Sequence, residues 1–157
     1  MGIAENYKIV PVLINPTDFG ASADLDSIDM TNYHKATFIF SFGTCGAAVV
    51  HSFNSGVSEG AKTTAVACKG ALGGAAIGTA VADSAASCDV LGAWQACTTT
   101  LSLVATTKMT VFEVDASAMT LGHNWLTGTI AAASGIASVV AILEPRYSGN
   151  MSGTALK

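Results

Sequence analysis

Residues 139–147 read VVAILEPRY, and they end a long uncharged part of the chain. No Asp, Glu, Lys or Arg occurs from residue 116 to residue 143, and Glu144, Pro145 and Arg146 then follow directly. Such a pattern fits either a membrane-spanning segment with a polar stop or a set of buried β-strands. The choice between these two interpretations decides the fold class.

The residues inside the uncharged segment favour strands over a membrane helix. A spanning helix needs about 20 apolar residues, but HNWLTGT at 123–129 contains a His, an Asn and two Thr, which hydrocarbon would penalise. No cluster of Lys or Arg flanks the segment. Residues 136–143 are apolar on both faces, as in a central strand that is covered on both sides. We therefore expect buried strands and no association with a membrane.

Other segments show the period-two alternation of β-strands. In KATFIFSF at 35–42, Phe38, Phe40 and Phe42 alternate with polar or aliphatic residues. Further strand candidates lie at 7–14, 47–53, 63–68, 98–105, 109–115 and 125–130. About eight strands separated by turn-like breaks predict an all-β fold, either an antiparallel β-sandwich or a jelly roll.

The length of 157 residues fits one domain. We assign residues 1–147 to a single β-sandwich domain with an N-terminal arm, and residues 148–157 to a C-terminal tail with little to bury. Residues 15–30 carry four Asp and are interpreted as an exposed loop, and residues 69–87 form a Gly/Ala-rich stretch. The first residues, MGIAENYKIVPVL, lack the features of a secretory signal, so we expect synthesis in the cytoplasm.

The charge content is low. Charged residues make up 11% of the chain, against about 25% in ordinary globular proteins, and the net charge is −4. The seven basic residues are scattered singly, so the clustered positive surface that nucleic-acid binding requires is missing from the sequence. A surface with so few charges is typical of a subunit with a large protein–protein contact area. We expect an assembly component that does not bind nucleic acid.

Motifs that would carry catalysis or bind a metal are weak. GVSEG at 56–60 fits the G-x-S-x-G pattern with Ser58 as nucleophile, but that motif requires a strand–turn–helix, and no helical periodicity follows. His34, His51 and His123 lie in separate segments without ligand spacing, and no C-x-x-C pair occurs. We expect no enzyme activity, no metal and no cofactor.

The sequence holds four cysteines, at positions 45, 68, 88 and 97. CDVLGAWQAC could close a hairpin through a disulfide between Cys88 and Cys97. The favoured alternative is that the cysteines are free thiols, which pack as small hydrophobic residues.

Three segments resemble parts of small structural proteins of tailed bacteriophages. They are NYHKATFIFSFGT (32–44), TVFEVDASAM (110–119) and VVAILEPRY (139–147), and EGAK (59–62) matches a mid-chain loop. The resemblance implies a virion structural protein of the capsid decoration (cement) type, with a β-sandwich fold. It further implies homotrimers on the capsid surface that bridge subunits of the major capsid protein, and it carries over no catalytic residues. The stretch 69–87 departs from the pattern of that family.

The termini are the parts most suited to reach a neighbouring subunit. A head-to-tail contact between identical chains closes into a ring, and three-fold symmetry is one such closure. We expect Tyr7 and Ile9 in the N-terminal arm, and Arg146 and Tyr147 after the last strand, to contact other subunits, because Tyr and Arg are favoured at interface centres. Alternatively, Tyr147 caps the core and Arg146 pairs with Glu144 or another carboxylate.

Three other functions remain open at this point. The chain could be a tail or connector-associated virion subunit rather than a capsid decoration protein. It could be a carbohydrate- or host-surface-binding sandwich that uses Trp94 as an aromatic platform, although an aromatic residue in the core or a lid is the more common case. An enzyme with Ser58 as nucleophile is the third.

Overall fold

The computed structural model describes residues 6–18, 20–45, 48–73, 90–103, 108–132, 134–147 and 155–156. In these ranges the chain forms twelve β-strands and one 3₁₀ turn, Ala116–Ala118. The strands are β1 (Lys8–Asp18), β2 (Ser22–Asp24), β3 (Ile28–Asp29), β4 (Tyr33–Cys45), β5 (Val49–Gly56), β6 (Thr64–Ala65), β7 (Cys68–Leu72), β8 (Gln95–Cys97), β9 (Thr100–Leu103), β10 (Met109–Asp115), β11 (Trp125–Ala131) and β12 (Gly135–Pro145). Among the described residues, no helix is long and apolar enough to cross a membrane.

The strands form two antiparallel sheets that pack as a sandwich. The first sheet has the order β1-β12-β4-β10-β7-β8. In the second sheet the order is β2-β11-β5-β6, with β3 also paired to β11 and β9 to β5. The predicted all-β antiparallel sandwich is confirmed, whereas jelly-roll connectivity stays a prediction. The structure has more strands than the eight expected, because strands of two or three residues, such as β2, β3, β6 and β8, are too short to show an alternating pattern.

The residues that separate β1 from β4 contribute to the core. Residues 15–30 were expected to be an exposed loop, and this expectation is wrong. Leu25, Ile28 and Met30 are buried, and β2 and β3 both pair with β11. In the predicted tail, Ala155 is buried and its carbonyl oxygen accepts a hydrogen bond of 3.0 Å from the backbone N–H of Asp29. The tail residues 148–154 and 157 lie outside the described residues. The same holds for residues 74–87 of the Gly/Ala-rich stretch. The predicted domain limits therefore stay a prediction.

The apolar segment 136–143 lies in β12, and β12 is hydrogen-bonded to β1 on one side and to β4 on the other. Its inward residues Val139 and Leu143 are fully buried, but its outward residues Ile136 and Val140 are 39% and 38% exposed. The expectation that this strand is covered on both faces is therefore wrong. The chain covers one face of β12 and leaves the other face apolar and partly open.

An aromatic cluster joins the two sheets in the core. The Phe112 ring of the first sheet stacks on the imidazole of His51 in the second, with 4.4 Å between centroids. Phe40 lies edge-on to His51 at 4.9 Å, and Phe53 of the second sheet lies 4.8 Å from Phe38. These side chains are essentially inaccessible to water. The phenylalanine alternation seen in the sequence thus forms the centre of the core.

The buried His51 is a polar residue within this apolar cluster. Its Nε2 lies 3.2 Å from the Thr110 hydroxyl, which provides a hydrogen-bond partner from the opposite sheet. Burial lowers the pKa of His51 to about 4, because the charged imidazolium would lose its hydration there. At neutral pH the ring is therefore uncharged and packs as an aromatic residue.

Candidate assembly surface

The outer face of the first sheet carries an exposed apolar patch at its β1 edge. We call the residues Ile9, Pro11, Ile136, Val140 and Ile142 the β1–β12 face. In the strand register Ile9 lies opposite Ile142, and Pro11 lies opposite Val140. Ile9 in the edge strand β1 is 48% exposed. This face therefore presents branched aliphatic and proline side chains to the outside of the domain.

The apolar character continues across the sheet in one row. Val140 lies opposite Ile39 in β4, Ile39 opposite Val111 in β10, and Val111 opposite Ala71 in β7. Val111 and Ala71 are buried although they point to the outer face. The row continues from Val140 to Pro11 in β1, and these two residues form its exposed part.

The charged residues of β4, β10 and β12 gather at one end of the same face. Glu144 lies opposite Lys35, and Lys35 lies opposite Asp115. The ammonium nitrogens of Lys35 and Lys69 each lie 2.9 Å from Oε2 of Glu113. Burial raises the pKa of Glu113, but hydrogen bonds from Lys69 and Lys35 outweigh this effect and hold the pKa below its ordinary value. Lys35, Lys69 and Glu113 pair with one another at this end, and the middle of the face carries no charged side chain from β4, β10 or β12.

The structure brings the four predicted contact residues to one end of the first sheet. Lys8 lies opposite Leu143, so the start of β1 runs beside the end of β12. Tyr7 and Ile9 are at that start, and Arg146 and Tyr147 directly follow β12. Tyr147 is 74% exposed, Arg146 is exposed and Tyr7 is half-buried. That these residues contact other subunits stays a prediction, and residues 1–5 of the predicted arm lie outside the described residues.

The alternative roles of Arg146 and Tyr147 do not match their surroundings. Tyr147 is too exposed to cap the core. Within the described residues, Glu144 contacts the imidazole of His34, with 3.3 Å between Oε2 and Nε2. Arg146 instead donates from Nε to the carbonyl oxygen of Tyr33 at 3.1 Å, which fixes the direction of its side chain along the surface.

A cleft that the sequence did not indicate lies beside Arg146. Two adjoining cavities of about 170 and 360 Å³ share Met119, His123, Asn124 and Arg146 in their walls. The His123 Nδ1 is 3.0 Å from the Ser55 hydroxyl, which orients the ring. Met119, His123 and Asn124 are close in sequence, but Ser55 and Arg146 come from distant parts of the chain, so only the folded arrangement places all of them together.

Trp94 lies at the opposite edge of the first sheet, next to β8. Its ring is 43% exposed, and the Lys69 ammonium nitrogen lies 5.2 Å from the ring centroid. This distance is that of a cation–π contact, so one face of the ring is already in contact with a protein cation. A role of Trp94 as a carbohydrate platform stays a prediction.

Ser58 lies in an exposed turn after β5. The backbone N–H of Ala61 donates to the carbonyl oxygen of Ser58 at 3.1 Å, and the chain then continues into β6. The G-x-S-x-G segment is therefore a turn between two strands and not the strand–turn–helix of a nucleophile elbow. The prediction that the protein is not an enzyme stays a prediction.

The cysteines and acidic residues do not form a metal site within the described ranges. In these ranges, no three His, Cys, Asp or Glu side chains lie close enough to one another to hold a metal ion. The expected absence of metals and cofactors stays a prediction. Cys68 and Cys97 are free thiols. Cys88 lies outside the described residues, and so does the possible disulfide between Cys88 and Cys97, whereas Cys97 itself is a free thiol, as the favoured alternative has it. Cys97 instead lies opposite Cys68 in the strand register.

Comparison with known proteins yields two partially similar solved structures. No family model matches the chain, and no match is found among the curated proteins. The SPBc2 prophage-derived protein YomS covers 88% of this chain and 92% of its own, with 10% identity and a TM-score of 0.45. A chain of the Bacillus endospore appendages, described as a novel family of disulfide-linked pili, covers 89% of this chain and 88% of its own, with 18% identity and a TM-score of 0.45. At these values the similarity carries no argument about function.

Proposed function

We propose that the chain is a non-enzymatic virion structural protein, a capsid decoration (cement) subunit that forms homotrimers and binds the major capsid protein at the surface of a phage head. The observation that carries the proposal is the exposed, apolar β1–β12 face on an otherwise well-packed sandwich. The resemblance of the segments 32–44, 110–119 and 139–147 to tailed-phage structural proteins supports the virion role.

The composition of the face is that of an interface. Contiguous apolar patches on folded domains mark sites of interaction, and charged residues are depleted at interface cores while Tyr and Arg are enriched. Here Ile9 and Val140 provide the apolar centre, and Arg146 and Tyr147 border it at one end. A contact between this face and a different surface of an identical chain is head-to-tail, and such a contact closes into a trimer when the rotation is three-fold.

Electron microscopy of labelled particles tests the virion role. Gold-labelled antibodies against this chain are applied to phage particles released from cells that carry the gene, with particles of a deletion strain as control. We expect gold over the heads of the first particles and none on the control. Gold confined to tails would replace the decoration role with the tail or connector alternative, and unlabelled particles would contradict a virion role altogether.

A carbohydrate-binding role is the second candidate, and the exposed ring of Trp94 favours it. Binding of the wild-type chain to a glycan array, abolished by Trp94→Ala, would support this candidate. An array without any signal from the wild-type chain would remove it. Since Trp94 and the β1–β12 face lie at opposite edges of the first sheet, the two roles are separable by substitution.

A further inference from the structure

Two cysteines face each other at the edge of the first sheet that is opposite β1. Cys68 in β7 and Cys97 in β8 are direct register partners in an antiparallel pair. Directly opposed residues have Cα atoms about 4.5–5.5 Å apart, with side chains on the same face of the sheet. A disulfide spans Cα distances of about 4.4–6.8 Å. The backbone therefore already holds these two residues at a Cα separation that a disulfide can span.

The register of this pair is fixed by the rest of the sheet. Gly70 lies opposite Phe112 and Ala71 opposite Val111, so β7 cannot slide along β10. Lys69 and Gly70 lie opposite Ala96 and Gln95, which aligns β8 in turn. The juxtaposition of the two thiols is thus a consequence of the ladder and not of a mobile loop.

Access of small reagents to the pair is limited but present. Cys97 is 1% exposed and Cys68 is half-buried, and burial raises the pKa of both thiols. Thiolates are therefore scarce while β8 stays paired. Cys68 nevertheless lines a surface depression of about 340 Å³, and β8 is a three-residue strand at the sheet edge, where local opening costs least.

We infer that Cys68 and Cys97 are a modification site, at which oxidation forms an intramolecular disulfide that ties the edge strand β8 to β7. The oxidant is a low-molecular-weight disulfide of the glutathione class. This inference is independent of the proposed function, because it requires a change of redox environment and not a capsid.

The reaction proceeds by two thiol–disulfide exchanges. The Cys68 thiolate attacks one sulfur of the oxidant, which forms a mixed disulfide and releases one reduced thiolate. Cys97, as thiolate, then attacks the Cys68 sulfur, which forms the intramolecular bond and releases the second thiolate. The two leaving thiolates take up the two protons lost by the cysteines. One oxidant molecule is reduced to two thiols, and the protein loses two hydrogens.

The bond would close a loop that contains residues 69–96. Cross-linking a loop of this length restricts the unfolded chain more than the folded one, and the two residues are already opposed, so little strain is added. We expect the oxidised chain to unfold at a temperature roughly 5–10 °C above that of the reduced chain.

The test is a peptide map of the full-length chain after incubation with oxidised glutathione at pH 8 under native conditions. Remaining thiols are alkylated, and the non-reduced tryptic digest is analysed by mass spectrometry with fragmentation. Trypsin releases Cys68 in peptide 63–69 and both Cys88 and Cys97 in peptide 70–108. We expect the two peptides to be cross-linked, with fragments that assign the bond to Cys97, and the cross-link to disappear on reduction.

Two variants separate the competing pairings. Cys88→Ala should keep both the cross-link and the increase in unfolding temperature, whereas Cys97→Ala should lose both. The fragment spectra of the wild-type peptides identify which cysteines are bonded, so the pairing is determined even if Cys97→Ala fails to fold. A bond from Cys88 to either other cysteine, or full alkylation of Cys68 and Cys97 after oxidation, would overturn the inference.

Discussion

Replacing Phe112 by alanine is expected to lower the free energy of unfolding by about 4 kcal/mol, which is the typical cost of removing a fully buried aromatic ring. Phe112 is 0% exposed, and its ring lies 5.7 Å from that of Phe40 and 5.6 Å from that of Phe53. It thus contacts rings of both sheets, and its loss would leave a cavity between them. Urea unfolding followed by circular dichroism measures the change.

A neighbouring glycine makes the same experiment more specific. A Cβ atom at Gly70 would lie 2.5 Å from an atom of the Phe112 ring, so Gly70→Ala is expected to destabilise the wild-type chain by about 1–3 kcal/mol through overpacking. In the Phe112→Ala background the ring is absent and that cost should vanish. The double-mutant cycle should therefore show a coupling of at least about 1 kcal/mol. Additive effects of the two substitutions would contradict the packing described for this part of the core.

The stability of the protein is expected to fall by about 3 kcal/mol between pH 6.5 and pH 4 because of His51. In the unfolded chain a histidine titrates near 6.5, whereas burial lowers the pKa of His51 to about 4 in the folded protein. Between these values the unfolded state binds a proton that the folded state does not. Unfolding therefore becomes easier as the pH decreases, by about 1.4 kcal/mol per pH unit, and the effect is complete below about pH 4.

Two acidic groups contribute at lower pH and can be separated from His51. The pKa of Asp24 is lowered, since burial raises it but hydrogen bonds from Lys62 and Thr129 outweigh this effect, and the pKa of Glu113 is lowered by its lysine partners. Their contributions are present above their ordinary values of 3.8 and 4.5 and are lost as the pH falls further. Between pH 6.5 and 4.5 these two acidic groups therefore contribute little compared with His51.

Urea unfolding at pH 7.5, 6.5, 5.5 and 4.5 measures this dependence. We expect His51→Leu to show an almost flat profile over these values, although it is less stable than the wild-type chain at pH 7.5. The matched control is Phe53→Leu, which removes a buried aromatic ring beside Phe112 but no titratable group; this variant should lose stability and keep the wild-type slope. A flat wild-type profile, or an unchanged slope in His51→Leu, would show that His51 is not the buried neutral residue described above.

The sequence predicted the parts of the fold in which alternation extends over many residues. The three phenylalanines of β4 lie on one strand face and are all buried, as their spacing indicated. Short strands were missed because two or three residues cannot display a period. The pairing of Cys68 with Cys97 depends on the register between β7 and β8, which no local pattern encodes.

The candidate surface was predicted in part, and its missing portion has a physical reason. Aromatic and basic residue types near the ends of the chain pointed to Tyr147 and Arg146. Ile136 and Val140 were instead assigned to a strand buried on both faces, because an apolar residue has the same sequence signature whether its own chain or a second subunit covers it. In the structure β1 pairs with β12 within the sheet and does not cover its outer face. Ile136 and Val140 on that face are therefore partly exposed.

The measurement that tests the central claim most directly is the solution mass of the wild-type chain and two lysine variants, by light scattering over a range of concentrations. Val140→Lys charges the β1–β12 face, and Val57→Lys places the same charge at a residue that is 69% exposed in the turn after β5. We expect the wild-type chain and Val57→Lys to reach three times the 15.8 kDa of one chain, and Val140→Lys to remain a monomer. A wild-type monomer at every concentration, or a trimer that Val140→Lys leaves intact, would contradict the claim that this face assembles the protein.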